Sequence, residues 1–239
     1  MNKPGPLLAL LLLFCPALPA AQLPPDFTAS YSVQKYGSQI AEMRLSLQTR
    51  DNIASYSSHS EARGLAALLT NQEIDETSEL DISDAAAPPR LLRYQYRHRG
   101  RANKNQQFQV DYLDDNQVRV EGSYGKQPFQ LDSEQPVWDQ LSVQLALLAT
   151  AQQSPTSGQQ YRYTIIDDGK IDEYAFEFGG EAVLKIAERT YHTLKFTRVH
   201  GKRTTSLWLA QELHYLPVKI DQYKEGELNL RMTLEQIKP

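Results

Sequence analysis

The side chains of this chain that could do chemistry are five histidines, two serine–lysine pairs, scattered carboxylates and one cysteine. His59, His98, His192, His200 and His214 never recur at i, i+4, so no helix offers two imidazoles to a metal. A metal site gathered from separate strands stays open. Ser32 to Lys35 and Ser123 to Lys126 have the Ser-x-x-Lys spacing of a nucleophile and its base, which needs both groups on one helical face. Both fall at predicted strand ends or turns and read as chance. Asp167, Asp168 and Asp172 hint at calcium, but the acidic-loop spacing and its terminal glutamate are missing, so a solvated hairpin tip is expected. No glycine run of the phosphate-cradling kind occurs. Carboxylate pairs for glycoside cleavage come from separate strands, and spacing alone neither supports nor removes them. The sequence therefore predicts no catalytic residue, no metal and no cofactor.

Export shapes this inventory. Lys3, the apolar run Leu7 to Leu13, and the helix-breaking, small-residue stretch Pro16 to Ala21 predict a signal peptide over residues 1–21. The run is too short to span a bilayer, and the mature chain begins near Ala21 or Gln22. Cys15 would leave with the signal. Phe14 stands where lipid attachment requires a small residue, so no lipid anchor is expected. The mature chain then has no thiol and no disulfide, and burial must hold the fold. The expected location is the periplasm, as one β-rich domain over residues 22–239 with no transmembrane span.

Charge argues against nucleic acid. Lys and Arg number 25 against 29 Asp and Glu, a net of −4, whereas nucleic-acid binders concentrate a basic surplus. The densest basic stretch, Arg90 to Lys104, lies on a predicted strand and its hairpin loop. It reads as a solvated face, with an anionic ligand or lipid headgroup as the alternative.

Period-two alternation dominates the elements. Phe27, Ala29, Tyr31 and Val33 alternate with Thr28, Ser30 and Ser32, then Met43, Leu45 and Leu47 follow a turn at Tyr36 to Gln39, predicting an antiparallel hairpin. Further strands are expected at 54–62, 73–80, 91–98, 107–112, 117–122, 126–131, 161–166, 171–178, 182–187, 191–199, 204–210, 216–223 and 228–234. Turns are predicted at Asp114 to Asn116, Asp167 to Lys170, Gly179-Gly180, Gly201-Lys202 and Glu225-Gly226. Gly64 to Thr70 reads as a short helix or an apolar loop. From Pro136 to Gln152, Trp138, Leu141, Leu145 and Leu148 recur at helical spacing, with Ser133 or Gln135 as cap and Ser154-Pro155 as stop. The fold expected is mainly β: a strongly curved antiparallel sheet or partly open barrel packed around that one long helix.

Phe27-x-Ala29-x-Tyr31, Arg63-Gly64-Leu65, Asp139-x-Leu141-Ser142, Trp208-Leu209-Ala210 and Leu216-Pro217-Val218-Lys219 together resemble the bacterial exported family called domain of unknown function 3108. The resemblance implies an envelope protein with no assigned activity or cofactor. It also implies a fold-level similarity to periplasmic lipoprotein carriers and receptors, an analogy that transfers function only weakly. The functional expectation is a non-catalytic protein that binds a lipid-like ligand in the concavity of its sheet. Trp138, Leu141, Leu145 and Trp208 are expected to line the concavity, with Lys219 or Arg63 at a headgroup. The alternatives are an envelope interaction module working through a sheet edge or the Arg90 to Lys104 face, and a hydrolase with dispersed catalytic residues.

Overall fold

In a computed structural model, residues 23–64, 67, 73–85, 87–113 and 117–239 are described. The predicted signal peptide, most of the Gly64 to Thr70 segment and the Asp114 to Asn116 turn lie outside them. Fifteen strands form one sheet in the order β8-β7-β6-β5-β4-β3-β2-β1-β15-β14-β13-β12-β11-β10-β9. The first meander is β1 (Phe27–Lys35), β2 (Ser38–Arg50), β3 (Ile53–Ala62), β4 (Glu73–Asp81), β5 (Arg90–His98), β6 (Gln106–Tyr112), β7 (Val118–Tyr124) and β8 (Gln127–Ser133). The second is β9 (Val137–Trp138), β10 (Gln160–Asp167), β11 (Lys170–Ile186), β12 (Arg189–His200), β13 (Arg203–Ala210), β14 (Leu216–Lys224) and β15 (Glu227–Lys238). Antiparallel pairing of β1 with β15 joins the two halves, and β9 with β10 is the one parallel pair among the described residues.

Connectivity nearly closes this sheet. The outermost strands β8 and β9 follow one another in the chain, and the four steps from Ser133 to Val137 reach at most about 14 Å. The turn between β10 and β11 completes the seam: Lys104 meets Asp168 at 3.7 Å, and a Cβ added at Gly169 would lie 3.1 Å from the Phe129 ring. Side chains thus seal the gap that no ladder spans.

The helix differs from its prediction. Its first seven expected residues are not helical, and α1 covers only Val143–Gln152, ten residues. Val137 and Trp138 pair with Thr164 and Ile165 instead. The Asp139 carboxylate then accepts from the N–H groups of Leu141 and Ser142, both at 2.7 Å, which turns the chain and delays the helix. Nor is α1 one-sided: Val143, Leu145, Ala146, Leu147, Leu148 and Ala151 are buried and none of its residues is exposed. A helix covered on every side belongs inside a fold. Tyr56 of β3 bonds Gln144, while Tyr163 of β10 bonds Thr150, so opposite walls grip it.

Gly179-Gly180 is a second correction. The pair makes no turn; β11 runs through it as one strand of 17 residues with a register shift between Phe178 and Glu181. Gly180 takes φ +100°, the conformation such a bulge needs and L side chains avoid. Beyond the bulge, the tip of the β11–β12 hairpin lies across from β1 and β15, where Ile186 and Tyr191 share a groove with Ser32, Gln34 and Thr233.

Gly122 of β7 marks the tightest strand approach. Phe108 stands opposite it, and the Phe108 and Phe129 rings pack at 6.3 Å, covering the position where a side chain is missing. A Cβ there would fall 2.2 Å from the Gln107 carbonyl oxygen. Gly122→Ala is expected to cost about 3 kcal/mol or more, measured by urea unfolding, because backbone must move to admit the methyl. A loss under about 1 kcal/mol would contradict this packing.

Candidate functional site

Register divides the sheet into two faces. Leu207 of β13 stands opposite Phe196 and Ile220, and all three are buried toward α1's side of the sheet. Trp208, the next residue, stands opposite Lys195 and Lys219 on the other face.

On the inner face a chamber of about 240 Å³ lies between the start of α1 and the sheet. Met43, Leu45, Leu207, Ile220 and Met232 form its sheet wall, with Leu141 and Val143 opposite. Polar groups interrupt this lining at a few places: Ser58, Glu76, Gln144 and, toward one end, Gln140, Tyr174, Arg198, Thr205 and Gln222. The last five also line a second, more polar hollow of about 340 Å³, together with Asp167, Asp168, His200, Arg203 and Lys224. The chamber therefore continues into a charged vestibule.

Two acids shape the electrostatics. Asp139 is buried completely, which pushes its carboxyl up, and four donors work against that: Ser142 N–H and Oγ, Ser78 Oγ and Leu141 N–H, at 2.7 to 2.9 Å. Glu76 lines the chamber itself. Burial, then the nearby charge of Asp139, raises its carboxyl to about 7, and a hydrogen bond from the Tyr94 hydroxyl at 3.1 Å offsets this only partly. Glu76 is thus about half protonated at neutrality, at the point where the β4 wall meets the cavity.

Of the residues expected to line the concavity, Leu141 lies in the wall of this chamber. Leu145 is buried in α1 away from the lining, and Trp138 faces a separate hollow beside Arg90, Tyr112 and Pro136. Trp208 and Lys219 are corrected by register, because they occupy the outer face. There the Lys219 ammonium lies 4.3 Å from the Trp208 ring and 3.1 Å from Asp221, whose carboxylate also holds Arg231 at 2.7 Å. Arg63 is corrected by its partners: Glu42 and Glu61 take its guanidinium at 2.9 and 2.5 Å, and it lines neither hollow.

The Arg90 to Lys104 stretch reads as a solvated face. Arg93 pairs with Glu79 at 3.9 Å and Arg99 with Glu73 at 2.6 Å across the β4–β5 ladder. His59, Glu73 and Asp75 bring possible metal-ligand atoms within 4.8 Å of one another. His59 is already hydrogen-bonded to Asp75, its ladder partner, and Glu73 to Arg99, which makes an ordinary cross-strand network. Sequence reasoning missed Glu76, Arg198, Arg203 and Gln140. Their signal was there for Arg198, a charge that continues the period-two apolar row Leu194 and Phe196 in the strand Tyr191 to His200, but not for Glu76, since β4 alternates weakly.

Residues 26–234 match the family described as protein of unknown function (DUF3108). The chain belongs to this family. No curated protein matches. Among solved structures, the chain is similar to a β-barrel-like protein of domain of unknown function DUF1849 from Brucella abortus. The TM-score is 0.59 at 11% identity, over 89% of this chain and 97% of that one. At that identity the likeness concerns the fold alone. The Asp139-x-Leu141-Ser142 stretch has a physical meaning: it is the buried acid and the donors that begin α1.

Glu76 generates a pH dependence. Unfolded, it titrates near 4.5; folded, near 7. Between those values the unfolded chain has lost the proton that the native state keeps, so this group lowers stability as pH rises through that window, levelling above 7. Glu76→Gln lacks the penalty. Its stability relative to the parent should rise by roughly 2 to 3 kcal/mol between pH 5 and pH 8 in urea unfolding, and a difference independent of pH would refute the assignment.

Proposed function

We propose that this DUF3108 protein is an exported, non-catalytic binding protein whose ligand is a single-chain apolar or amphipathic molecule seated under α1. The chamber carries this reading. Its 240 Å³, continued by the vestibule with which it shares five lining residues, give room for a length of one acyl chain. A mostly apolar wall with a few placed polar groups is what such sites have. The non-catalytic part rests on the acids. Asp139 has spent both oxygens on structural donors, leaving Glu76 without a second free carboxyl in the chamber lining.

Export is supported by the signal sequence, and the expected location is the periplasm. No helix among the described residues is long and apolar enough to cross a membrane. Mass spectrometry of the protein secreted from its host should give an N-terminus at Ala21 or Gln22; an intact Met1 chain would contradict export.

Protein purified without detergent should carry or take up one fatty acid per chain, read by native mass spectrometry and by a fluorescent fatty acid. Leu207→Trp fills the chamber and should reduce uptake at least tenfold while the protein melts cooperatively. Undiminished uptake in that variant would place the ligand elsewhere, and no uptake by the parent protein would end the proposal.

A further inference from the structure

Three adjacent strands run from apolar to charged in step. On their shared inner face β12 presents Phe196, Arg198 and His200; β13 presents Leu207, Thr205 and Arg203; β14 presents Ile220, Gln222 and Lys224. The apolar member of each triplet is buried, the middle one lies between, and the last is exposed. The ladder aligns them: Phe196 with Leu207 and Ile220, Arg198 with Thr205 and Gln222, His200 with Arg203 and Lys224. The middle and outer rows line the vestibule, and Leu207 and Ile220 line the chamber behind it.

Charge in the vestibule is not balanced. Its fixed cations are Arg198, Arg203 and Lys224; its carboxylates are Asp167 and Asp168. Asp168 is paired with Lys104 from outside the lining. Asp167 accepts from the Tyr174 hydroxyl at 3.0 Å and from the Gln140 amide, both neutral donors. Arg198 stacks 3.4 Å above the Tyr174 ring, which holds its guanidinium between chamber and vestibule. Among the described residues none of Arg198, Arg203 and Lys224 has a carboxylate within 4.0 Å, so these three cations line the vestibule without an ion-pair partner. Glu227 stands opposite Lys224 in the ladder without forming an ion pair.

We infer that the vestibule is the headgroup site of the chamber's ligand, and that the ligand is an amphiphile with an anionic head, a carboxylate or a phosphate. Its chain lies among Leu207, Ile220 and Met232, and its head meets Arg198 first, with Arg203 and Lys224 at the rim. This deepens the proposed function and rests on it. The planar Arg198 fork can hold either oxyanion by two hydrogen bonds, and the row spacing fixes which end of the ligand enters first.

The test compares probes of one chain length, decanoate, decyl phosphate, decan-1-ol and decylamine, by titration calorimetry on the purified mature protein at low salt. Both anions are expected to bind about tenfold to a hundredfold tighter than the alcohol, and the amine weaker than the alcohol. Arg198→Gln should remove most of the anions' advantage over decan-1-ol. Should Arg198→Gln fold poorly, the exposed pair Arg203→Gln with Lys224→Gln should lower the advantage severalfold. A preference for decanoate over decyl phosphate, or the reverse, tells a fatty-acid head from a phosphate head. Equal binding of alcohol and anions, or tighter binding of the amine, overturns the anionic assignment while the chamber reading stands. Failure of all four probes removes both.

Discussion

Asp139 is sealed from water with four hydrogen-bond donors converging on its carboxylate, and much of the interior follows from that convergence. A buried carboxylate is expensive unless every lone pair is used, so the donors have little freedom to move. Two of them are the backbone N–H groups of Leu141 and Ser142, and one is Ser78 of β4. The same group therefore ends β9, begins α1 and ties the start of α1 to the far meander. Gln140, Leu141, Val143 and Gln144 hold their places in the chamber wall because this junction is fixed. Its charge also reaches Glu76, so the structural acid and the acid that faces the cavity are electrostatically one system.

Closure supplies the second constraint. A sheet of fifteen strands whose edge strands are sequence neighbours must curl until those edges approach, and the space it encloses must then be filled. A short helix with no exposed residue fills part of it. The remainder is the chamber. The outer face solves a different problem, since Trp208, Lys219, Asp221 and Arg231 cover one another there, and the β11–β12 tip lies near them across from β1 and β15. A buried tryptophan is in this case no sign of an interior ligand.

Strand content was legible because alternation is a local signal. Phe27 to Val33 and Met43 to Leu47 form the hairpin they predict, and the Asp167 to Lys170 turn falls where its Asp-Gly pair puts it. The helix start was not legible. Pro136 to Leu141 has helical spacing, but two long-range events decide its fate, pairing of Val137 and Trp138 with β10 and capture of Asp139 by Ser78. Gly179-Gly180 looks like a turn in sequence, and only the partner strand β12 makes it a bulge. Site residues failed for the same reason. Trp208 and Leu207 are neighbours, and period two assigns them to opposite faces without saying which face is inside. The gradient from Phe196 to His200 was readable along one strand, but its meaning needs β13 and β14 beside it.

The central claim is that the interior chamber receives a ligand chain, and two of the chain's three methionines, Met43 and Met232, line it. Methyl NMR of protein labelled at methionine reports on them directly, since Met1 belongs to the predicted signal. Titration with decanoate should shift the Met43 and Met232 resonances together, saturating at one equivalent, with contacts from both methyls to the probe's methylenes. Saturable binding that leaves both methyl resonances in place would contradict the account.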